Sequence, residues 1–310
     1  MAYDVIVIGS GPAGLTAAIY ATRANLKTLV IAGVTAGGQL MITTDVENYP
    51  GFPEGILGPD LMDKWRKQAE RFKADVVDDD VTKVDLARNP LKVWVGDQAY
   101  EGRSMVIATG ATAKWLGLES EKRLSGHGVS ACAVCDGFFF KAMDVAVVGG
   151  GDTAMEESLF LSKICKTVTI VHRRRAFRAS KIMQDRVFRT GNIRVIWDHT
   201  VDEVLGDRGV TGVRLRHVEG GAVQTLPVSG VFIAIGYEPA TRVFRGQVDL
   251  DARGYVRLHP ADGLGTATSV PGVFAAGDVH DHRYRQAVTA AGFGCMAALD
   301  AERWLQGRAA

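Results

Sequence analysis

The sequence predicts an α/β protein of two domains that share one local pattern, with the second domain inserted into the first. Two observations lead to this prediction: a segment typical of strand, glycine-rich turn, helix and strand occurs twice, and apolar runs ending in glycine follow each copy. A chain of 310 residues is also long for one hydrophobic core. The hydrophobic fraction of 47% and the charged fraction of 23% are those of an ordinary folded soluble protein.

The repeat consists of DVIVIGSGPAGLTAA near the start of the chain and DVAVVGGGDTAMEES in its middle. Gly9 aligns with Gly149, and Gly11 aligns with Gly151 at the same offset. Each copy begins with an apolar, β-branched run, which predicts a buried parallel strand, and continues with a stretch of helical composition. The second strands are expected at Lys27–Ile31 and Thr167–Val171. Two such units indicate two Rossmann-like dinucleotide-binding domains.

The glycines have specific physical roles in such a turn. The first allows a tight turn, and the second lets the backbone approach a pyrophosphate group. The third position, Gly14 in the first copy and Ala154 in the second, lets the helix and the strand pack closely. Backbone N–H groups at the start of the helix then face the phosphate charge. A single motif of this kind is weak because glycine-rich turns are common, whereas two copies in the right context favour nucleotide binding.

The order of the apolar runs predicts how the domains are connected. Further runs that end in glycine occur at Met105–Gly110, Val231–Gly236 and Val273–Gly277. The first two end the stretches that follow the glycine motifs, so the simplest layout inserts the second unit into the first. We therefore expect a discontinuous domain of residues 1–114 and 246–310 and an inserted domain of residues 115–245.

The residues after the second strand indicate the nucleotide of the inserted domain. There the strand ending at Val171 continues directly into HRRRAFR at 172–178. An acid usually holds a ribose 2′-hydroxyl at this point, whereas a 2′-phosphate calls for arginine, whose donors bind two oxygens at once. The alternative is a solvated basic face or a nucleic-acid patch. The position directly after a Rossmann strand favours NADPH.

The first domain departs from the simple pattern. Thr28–Ile31 is followed by Ala32 and Gly33, with no acid at the ribose position. Asp278 follows another apolar strand and could hold a ribose or ribityl hydroxyl by a charge-assisted hydrogen bond. A Gly–Asp pair elsewhere would indicate only a turn, so this prediction depends on the apolar strand that precedes the pair.

A CxxC motif, Cys132 to Cys135, lies shortly before the second glycine turn. This spacing lets a disulfide close locally and suits thiol–disulfide exchange. Zinc is the main alternative, but tetrahedral zinc needs about four nitrogen or sulfur ligands. Cys165 and Cys295 are isolated, and the histidines at 280–282 form only an HxH. We therefore predict redox chemistry without a metal and interpret the two isolated cysteines as buried packing residues.

Neither charge nor a targeting segment indicates a further partner. Lys and Arg total 36 and Asp and Glu total 35, so the formal net charge of +1 favours neither nucleic acid nor an anionic membrane. The N-terminus lacks the basic start and long apolar stretch of a secretory signal, and no window approaches the roughly 20 apolar residues of a membrane span. We expect a cytoplasmic protein.

Taken in order, the motifs resemble the low-molecular-weight, bacterial-type thioredoxin reductases, which are pyridine nucleotide-disulfide oxidoreductases of class II. The resemblance covers essentially the whole chain and rests on GSGPAGL at 9–15, GGQL at 37–40, ENYPGF at 47–52, CAVCDG at 132–137, GGGDTA at 149–154, HRRRAFRA at 172–179, GVFAAGD at 272–278 and YRQAVTAAGFGCMAALDAE at 284–302. Val134 stands where many bacterial members have Thr, and Arg175 stands where an acid is usual. The family also lacks an acid at the first ribose position.

The resemblance implies a role for each matching residue. The FAD-binding residues would be Gly9, Gly11, Pro12, Gly14, Gly38, Gln39, Asn48, Gly277, Asp278, Arg285, Gln286 and Ala287. The NADPH-binding residues would be Gly149, Gly151, Asp152, Thr153, Ala154, His172, Arg173, Arg174 and Arg178. Cys135 would face the flavin, Cys132 would attack the disulfide of thioredoxin, and Asp136 would be the general acid. From the sequence alone, Asp136 is equally well a turn residue before Gly137.

The implied activity is transfer of electrons from NADPH through FAD and the Cys132–Cys135 dithiol to thioredoxin, by a homodimer. Because dithiol and NADPH share one domain, the resemblance implies that this domain rotates, with hinges expected near Ala113–Leu116 and Phe244–Gln247. A ferredoxin- or flavodoxin-type reductase would have no use for the CxxC, and a dithiol oxidase would not need the arginines. A non-catalytic redox or zinc-binding sensor is a further alternative.

Overall fold

The computed structural model describes residues 2–43 and 45–307. The chain divides into two compact units. The discontinuous unit comprises Met1–Thr112 and Glu238–Ala310, and the inserted unit comprises Ala113–Tyr237. In the described part of the chain, no helix combines the length and the apolar character that crossing a membrane requires.

The second boundary between the two units lies between Tyr237 and Glu238, whereas the sequence placed it between residues 245 and 246. The side chain of Phe244 is fully buried in the core of the discontinuous unit, together with Val84 and Val248. The Gln247 side chain donates to the backbone carbonyl of Val84 at 2.6 Å and accepts from the backbone N–H of Leu86 at 2.8 Å. The segment expected as a hinge is therefore fixed within the discontinuous unit. The chain returns from the inserted unit to the discontinuous unit after Tyr237.

The regular elements alternate between strand and helix along much of the chain. The strands are β1 (Tyr3–Ile8), β2 (Thr28–Ile31), β3 (Asp45–Val46), β4 (Ile56–Leu57), β5 (Asp75–Val77), β6 (Lys83–Asp85), β7 (Leu91–Val95), β8 (Gln98–Ile107), β9 (Ala111–Ala113), β10 (Val129–Ser130), β11 (Asp144–Gly149), β12 (Thr167–Val171), β13 (Ile193–Ile196), β14 (His199–Leu205), β15 (Gly212–His217), β16 (Val223–Leu226), β17 (Gly230–Ala234), β18 (Tyr237–Pro239) and β19 (Val273–Ala275). The α-helices are α1 (Pro12–Arg23), α2 (Gly58–Arg71), α3 (Glu119–Arg123), α4 (Ala133–Asp136), α5 (Asp152–Leu161), α6 (Lys181–Arg189) and α7 (Ala287–Gln306). Short 3-10 helices lie at Gly38–Ile42, Gly137–Phe140, Arg242–Phe244 and Gly277–Val279.

The central sheet of the discontinuous unit is parallel at its core. Strands β5, β2, β1 and β8 lie in that order and run parallel, and β19 pairs in parallel with the end of β8. The beginning of β8 pairs with β7 in antiparallel fashion, and β6 follows at the edge. Strands β1 and β2 are buried almost throughout, as expected for parallel strands covered on both faces. This arrangement brings the loop after β1 and the loop after β19 to the same edge of the sheet.

Helices α1 and α7 pack closely against each other because both present small residues. A Cβ atom on Gly294 would lie 2.1 Å from the carbonyl oxygen of Ala13, so only glycine allows this approach. Alanines make up most of the buried positions around the contact on both helices. The start of α7 is thereby held beside the glycine turn that precedes α1.

The inserted unit contains a second parallel sheet in the order β10, β17, β11, β12 and β13. A separate antiparallel sheet of β14, β15 and β16 follows. Strand β12 occupies Thr167–Val171, the range that the apolar run predicts. The prediction of an α/β protein with two Rossmann-like units, the second inserted into the first, is confirmed.

Candidate active site

The first glycine turn lies between β1 and α1. Gly9 has a φ of 107°, a left-handed conformation that favours glycine, and a Cβ on Gly14 would lie 1.9 Å from the carbonyl oxygen of Gly9. Gly11 is different, because a Cβ there would have no atom within 4 Å. Pro12 begins α1 without an N–H group that would need a partner. The turn therefore leaves open space in front of the N-terminus of α1, where an anionic group is favoured.

A second loop lies directly beside this turn. A Cβ on Gly38 would lie 3.4 Å from the Cα of Gly11, which places the two expected FAD residues side by side. The Ser10 hydroxyl donates to the carbonyl of Ala32 and accepts from the N–H of Gly37, both at 2.8 Å. Ser10 thus fixes the two loops, a role that sequence reasoning missed because a serine between two glycines carries no pattern of its own. Gln39 lies in the same 3-10 helix as Gly38.

The loop after β19 reaches the same edge of the sheet. Gly277, with a φ of 76°, lies against α1, and a Cβ there would be 2.9 Å from the Cβ of Ala13. Burial raises the pKa of the neighbouring Asp278 to about 7, and the nearby carboxylate of Asp281 acts in the same direction. No hydrogen bond from another described residue reaches the Asp278 carboxyl group. A largely desolvated carboxyl group in this situation is poised to accept a hydrogen bond from a ligand.

The start of α7 completes the expected FAD residues of this unit. Gln286 is the N-cap of α7 and forms a capping box with Thr289, so Ala287 is the first helical residue. The Asn48 side-chain amide donates to the Gln286 side-chain oxygen at 3.3 Å. Asn48 belongs to an open cleft of about 350 Å³ lined by residues 47–53. Arg285 has a φ of 48°, and its N–H donates to the Asp281 carboxylate.

The second glycine turn, in the inserted unit, repeats the geometry of the first. A Cβ on Gly149 would lie 2.3 Å from the carbonyl oxygen of Ala234 and 2.8 Å from the Cβ of Ala154. Gly151 again faces open space at the N-terminus of a helix, α5. The Asp152 carboxylate accepts hydrogen bonds from the Ser180 N–H and hydroxyl, both at 2.8 Å. Thr153 and Ala154 follow in the first turn of α5, the latter fully buried.

His172, directly after β12, serves the turn structurally. Burial lowers the pKa of its imidazole, and its Nε2 lies 3.1 Å from the carbonyl oxygen of Ala176. A Cβ on Gly150 would lie 2.2 Å from the His172 ring, so the middle residue of the GGG run must also be glycine. The carbonyl of Gly150 accepts from the N–H of Arg178 at 2.7 Å, which ties the arginine loop to the glycine turn. Gly150 was not among the predicted site residues, although three consecutive glycines are a detectable signal.

The arginine loop separates into two kinds of side chain. Arg173, Arg174 and Arg178 are exposed, and none of their guanidinium groups forms an ion pair with another residue of the described ranges. Arg175 instead pairs with the Asp198 carboxylate at 2.9 Å. Three unpaired cations beside an open glycine turn form a site for a polyanionic group.

The dithiol lies at the start of a one-turn helix. Cys132 and Cys135 form a disulfide, Cys132 is the N-cap of α4, and its Sγ accepts from the N–H of Cys135 at 3.2 Å. Cys135 is exposed and Cys132 is half-buried, so both sulfurs are near the surface. Of the isolated cysteines, Cys165 is buried, as predicted, and Cys295 is only half-buried.

The carboxyl group of Asp136 lies at the other end of α4. Burial raises its pKa above the ordinary value, and a hydrogen bond from Ser130 opposes this effect. A carboxyl group with a raised pKa keeps its proton to a higher pH than an exposed aspartate does, which suits a proton donor. In the described residues, no group of three or more His, Cys, Asp or Glu side chains has the arrangement of a metal site.

These residues fit the two nucleotides that the sequence predicts. In the discontinuous unit, the open space at Gly11 and the carboxyl group of Asp278 fit the pyrophosphate and a hydroxyl group of FAD. In the inserted unit, the open space at Gly151 and the unpaired arginines fit the pyrophosphate and 2′-phosphate of NADPH. The expected FAD residues all lie in one unit, and the CxxC and the expected NADPH residues all lie in the other.

Comparison with known proteins gives consistent matches over the full chain. The pyridine nucleotide-disulphide oxidoreductase family matches residues 3–294. The thioredoxin reductase of Streptomyces coelicolor is 55% identical over 304 residues, which cover 97% of this chain and 94% of that protein. The thioredoxin reductase of Rickettsia conorii is 55% identical over 305 residues, covering 97% of each.

Solved structures agree with the sequence matches. The thioredoxin reductase from Giardia duodenalis has a TM-score of 0.94 at 45% identity and covers 98% of this chain and 99% of that chain. The thioredoxin reductase from Streptococcus pyogenes has a TM-score of 0.92 at 40% identity, with 98% of both chains covered. The chain therefore belongs to the pyridine nucleotide-disulphide oxidoreductase family. Within that family it belongs with the bacterial-type thioredoxin reductases.

Proposed function

We propose that this chain is an NADPH-dependent thioredoxin-disulfide reductase that uses the Cys132–Cys135 pair to reduce oxidised thioredoxin. The observation that carries this proposal is the disulfide between these cysteines, placed just ahead of a Rossmann unit with three unpaired arginines. The full-length similarity to thioredoxin reductases supports the same activity. The enzyme is an oxidoreductase whose cofactors are FAD and NADPH.

The two cofactors are assigned to separate units. Gly11, Gly38 and Asp278 would hold FAD in the discontinuous unit, together with Asn48 and the start of α7. Gly151 and the arginine loop would hold NADPH in the inserted unit. Bound FAD supplies the two-electron chemistry that links a nicotinamide to a disulfide. The protein itself positions these cofactors and provides the cysteines that carry out the thiol–disulfide exchange.

The sulfur chemistry follows from the reduced pair. The Cys132 thiolate attacks one sulfur of the thioredoxin disulfide, forming a mixed disulfide and releasing a thiolate on thioredoxin. The Cys135 thiolate then attacks the Sγ of Cys132, which releases reduced thioredoxin. This second step restores the Cys132–Cys135 disulfide that the structure contains. The two electrons leave with thioredoxin, and one disulfide is exchanged for another.

Asp136 has the properties of the acid in this sequence. Its buried carboxyl group has a raised pKa, so it retains a proton at a pH where an exposed aspartate is ionised. Transfer of that proton to the thiolate released by thioredoxin prevents the reverse attack. Solvent then returns a proton to the carboxylate before the next turnover.

Three apolar side chains beside the dithiol favour a protein substrate. Val134, Phe138 and Phe139 are 50%, 63% and 44% exposed, although residues of this kind are usually buried. Exposed apolar side chains near a reactive group are typical of a protein-binding site. A small disulfide such as a peptide would gain little from such a surface.

The separation of the sites has a mechanical consequence. The dithiol and the NADPH residues lie in one unit and the FAD residues in the other, so both groups must reach the flavin in turn. We infer that the inserted unit rotates about the two passages of the chain, near Thr112 and Tyr237. A crosslink that fixes the units should allow only one half-reaction. If both half-reactions continue at the normal rate, no rotation is needed.

We further infer a cytoplasmic homodimer. Helix α7 leaves Val288, Met296 and Leu299 exposed along one face, at 44%, 45% and 39%. An apolar stripe on a long helix is suited to a symmetric contact between two copies. Leu299→Lys should convert the dimer into a monomer in sedimentation analysis, whereas Val218→Lys, at an exposed apolar residue of the inserted unit, should not.

The direct test of the activity is NADPH consumption by the purified yellow protein, with and without oxidised thioredoxin. We expect consumption that depends on thioredoxin and is much slower with NADH. NADPH consumption without thioredoxin but with oxygen would instead identify a dithiol oxidase. Consumption only with a one-electron acceptor would identify a ferredoxin- or flavodoxin-type reductase.

A further inference from the structure

The segment that follows β2 lacks the acid that usually binds the adenosine ribose of a dinucleotide. Strand β2 ends at Ile31, and residues 32–34 are Ala, Gly and Val. In a Rossmann unit, an aspartate or glutamate at this point accepts a hydrogen bond from the ribose 2′-hydroxyl group. FAD contains an adenosine ribose, so the same hydrogen bond needs a carboxylate from another segment of the chain.

The loop after the neighbouring strand β5 brings a carboxylate to this place. The N–H of Gly33 donates to the carbonyl of Asp79 at 3.1 Å, and the N–H of Val34 donates to the carboxylate Oδ1 of Asp80 at 3.0 Å. A Cβ atom on Gly33 would lie 3.2 Å from the same Oδ1. The Asp80 carboxylate therefore lies where a side chain at the end of β2 would begin.

Asp80 differs from the two acids that precede it in the loop. The Asp78 carboxylate is occupied by two hydrogen bonds from the guanidinium group of Arg66, and the Asp79 carboxylate accepts from the N–H of Asp80 at 2.7 Å. Within the described ranges, the N–H of Val34 is the one donor that reaches the exposed Asp80 carboxylate. Because a carboxylate has about four lone-pair sites, Asp80 can accept further hydrogen bonds.

The sheet places Asp80 and Asp278 on opposite sides of the first glycine turn. The parallel strands β5, β2, β1, β8 and β19 end level with one another, in the register Val77, Ile31, Ile8, Ile107 and Ala275. Asp80, Gly11 and Asp278 each lie three residues beyond this level. Because neighbouring strands are about 4.8 Å apart, β5 and β19 each lie roughly 10 Å from the central strand β1.

FAD has a matching order of polar groups. Its pyrophosphate lies between the ribityl chain of the flavin half and the ribose of the adenosine half. With the pyrophosphate at Gly11, one of these polyols extends toward β5 and the other toward β19. The ribose lies on the side of the second strand in a Rossmann unit. Asp80 is therefore on the ribose side, and Asp278 is on the ribityl side.

We propose that Asp80 binds the ribose hydroxyl groups of FAD and so replaces the acid that is missing after β2. This inference rests on the proposed FAD site of the discontinuous unit, whichever disulfide the enzyme reduces. It also divides the two acids between the two polyols of FAD, with Asp278 at the ribityl chain. The interaction is noncovalent, so Asp80 contributes to cofactor affinity and not to electron transfer.

The experiment uses ADP as a probe, because ADP contains the ribose and pyrophosphate of FAD but no ribityl chain. Titration of the full-length, FAD-free protein with FAD, alone and in competition with ADP, gives both dissociation constants for this site. We expect Asp80→Ala to weaken FAD and ADP alike by about tenfold, the effect of losing a hydrogen bond to a charged group. Asp278→Asn should weaken the binding of FAD and leave that of ADP unchanged.

Two further variants test whether the effect comes from the carboxylate itself. Asp80→Asn keeps an oxygen for the N–H of Val34 but has no charge, so it should weaken both ligands by roughly fivefold. Asp97→Ala, the same change as Asp80→Ala at an exposed aspartate between β7 and β8, should bind both ligands as the wild type does. Unchanged affinities in Asp80→Asn would contradict a role for the charge.

The analogue 2′-deoxy-ADP tests the contact with the hydroxyl group. The wild type should bind ADP about tenfold more tightly than 2′-deoxy-ADP, and Asp80→Ala should bind the two equally. The same preference for ADP in both proteins, or equal FAD affinities in both, would overturn the assignment of Asp80. A wild type that binds no FAD would instead overturn the proposed FAD site itself.

Discussion

The guanidinium of Arg175 forms an ion pair with the carboxylate of Asp198 at 2.9 Å, whereas Arg174, its immediate neighbour, has no acidic partner among the described residues. Two adjacent arginines therefore have different tasks. Asp198 holds Arg175 along the loop and offsets its charge, while Arg174 remains available for a phosphate group. At position 175, where the resemblance to the thioredoxin reductases predicts an acid, this chain has an arginine that is bound within the protein.

This difference predicts a paired result for nucleotide selectivity. Arg174→Ala should raise the KM for NADPH by roughly tenfold or more, because a hydrogen bond to a charged group contributes about 1.5–3 kcal/mol. The KM for NADH should remain unchanged, since NADH has no 2′-phosphate. Arg175→Ala is the matched control and should change the KM for NADPH by less than about threefold, a typical size for an exposed ion pair. Equal losses in both variants would refute the assignment.

Asp278 predicts a pH dependence of FAD binding. Burial raises the pKa of its carboxyl group to about 7 in the protein without ligand. A hydroxyl group of FAD bonds better to the ionised form, so FAD binding and protonation compete. The dissociation constant of FAD should therefore rise as the pH falls below about 7, by up to about tenfold per pH unit.

The check is equilibrium titration of the FAD-free protein at a series of pH values. Asp278→Asn should bind FAD more weakly and show no such rise, because its side chain does not titrate. Asp97→Asn, an exposed aspartate in the turn between β7 and β8, should behave as the wild type. A pH-independent dissociation constant in the wild type would show that Asp278 does not contact FAD.

The contact between α1 and α7 predicts a stability effect. A Cβ on Gly294 would lie 2.1 Å from the carbonyl oxygen of Ala13, so Gly294→Ala must push the helices apart. We expect a loss of about 1–3 kcal/mol in the free energy of unfolding, the usual cost of overpacking. Gly191→Ala, where the Cβ would have open space, should stay within about 0.5 kcal/mol of the wild type. Urea unfolding measures both, and equal midpoints would contradict the packing.

Much of the fold was predictable because its central strands are apolar and continuous. Strand β12 coincides with the predicted run, since a buried parallel strand must be apolar on both faces. The antiparallel sheet of β14, β15 and β16 was not predicted. There charged side chains alternate with apolar ones, and ion pairs such as Arg214 with Asp202, 3.0 Å apart, join successive strands across the sheet.

The parts of the site that consist of local motifs were predictable from the sequence. The parts that depend on a residue distant in the sequence were not. The CxxC, the glycine turns and the arginine loop are local patterns. By contrast, Asp198 lies 23 residues from Arg175, and nothing between them indicates the ion pair. Ser130 is a single serine at the end of a two-residue strand, and only the structure shows that its hydroxyl accepts a hydrogen bond from the N–H of Cys132. The burial of Phe244 within the discontinuous unit was not apparent from the sequence because it is a tertiary effect.

The central claim is that electrons leave the protein through the sulfurs of Cys132 and Cys135. The most direct measurement compares Cys135→Ser with Cys295→Ser, the same change at a cysteine outside the disulfide, in NADPH consumption with oxidised thioredoxin. Cys135→Ser should still bleach its flavin when NADPH is added but show no thioredoxin-dependent turnover, and Cys295→Ser should keep both. Normal thioredoxin reduction by Cys135→Ser would contradict the account.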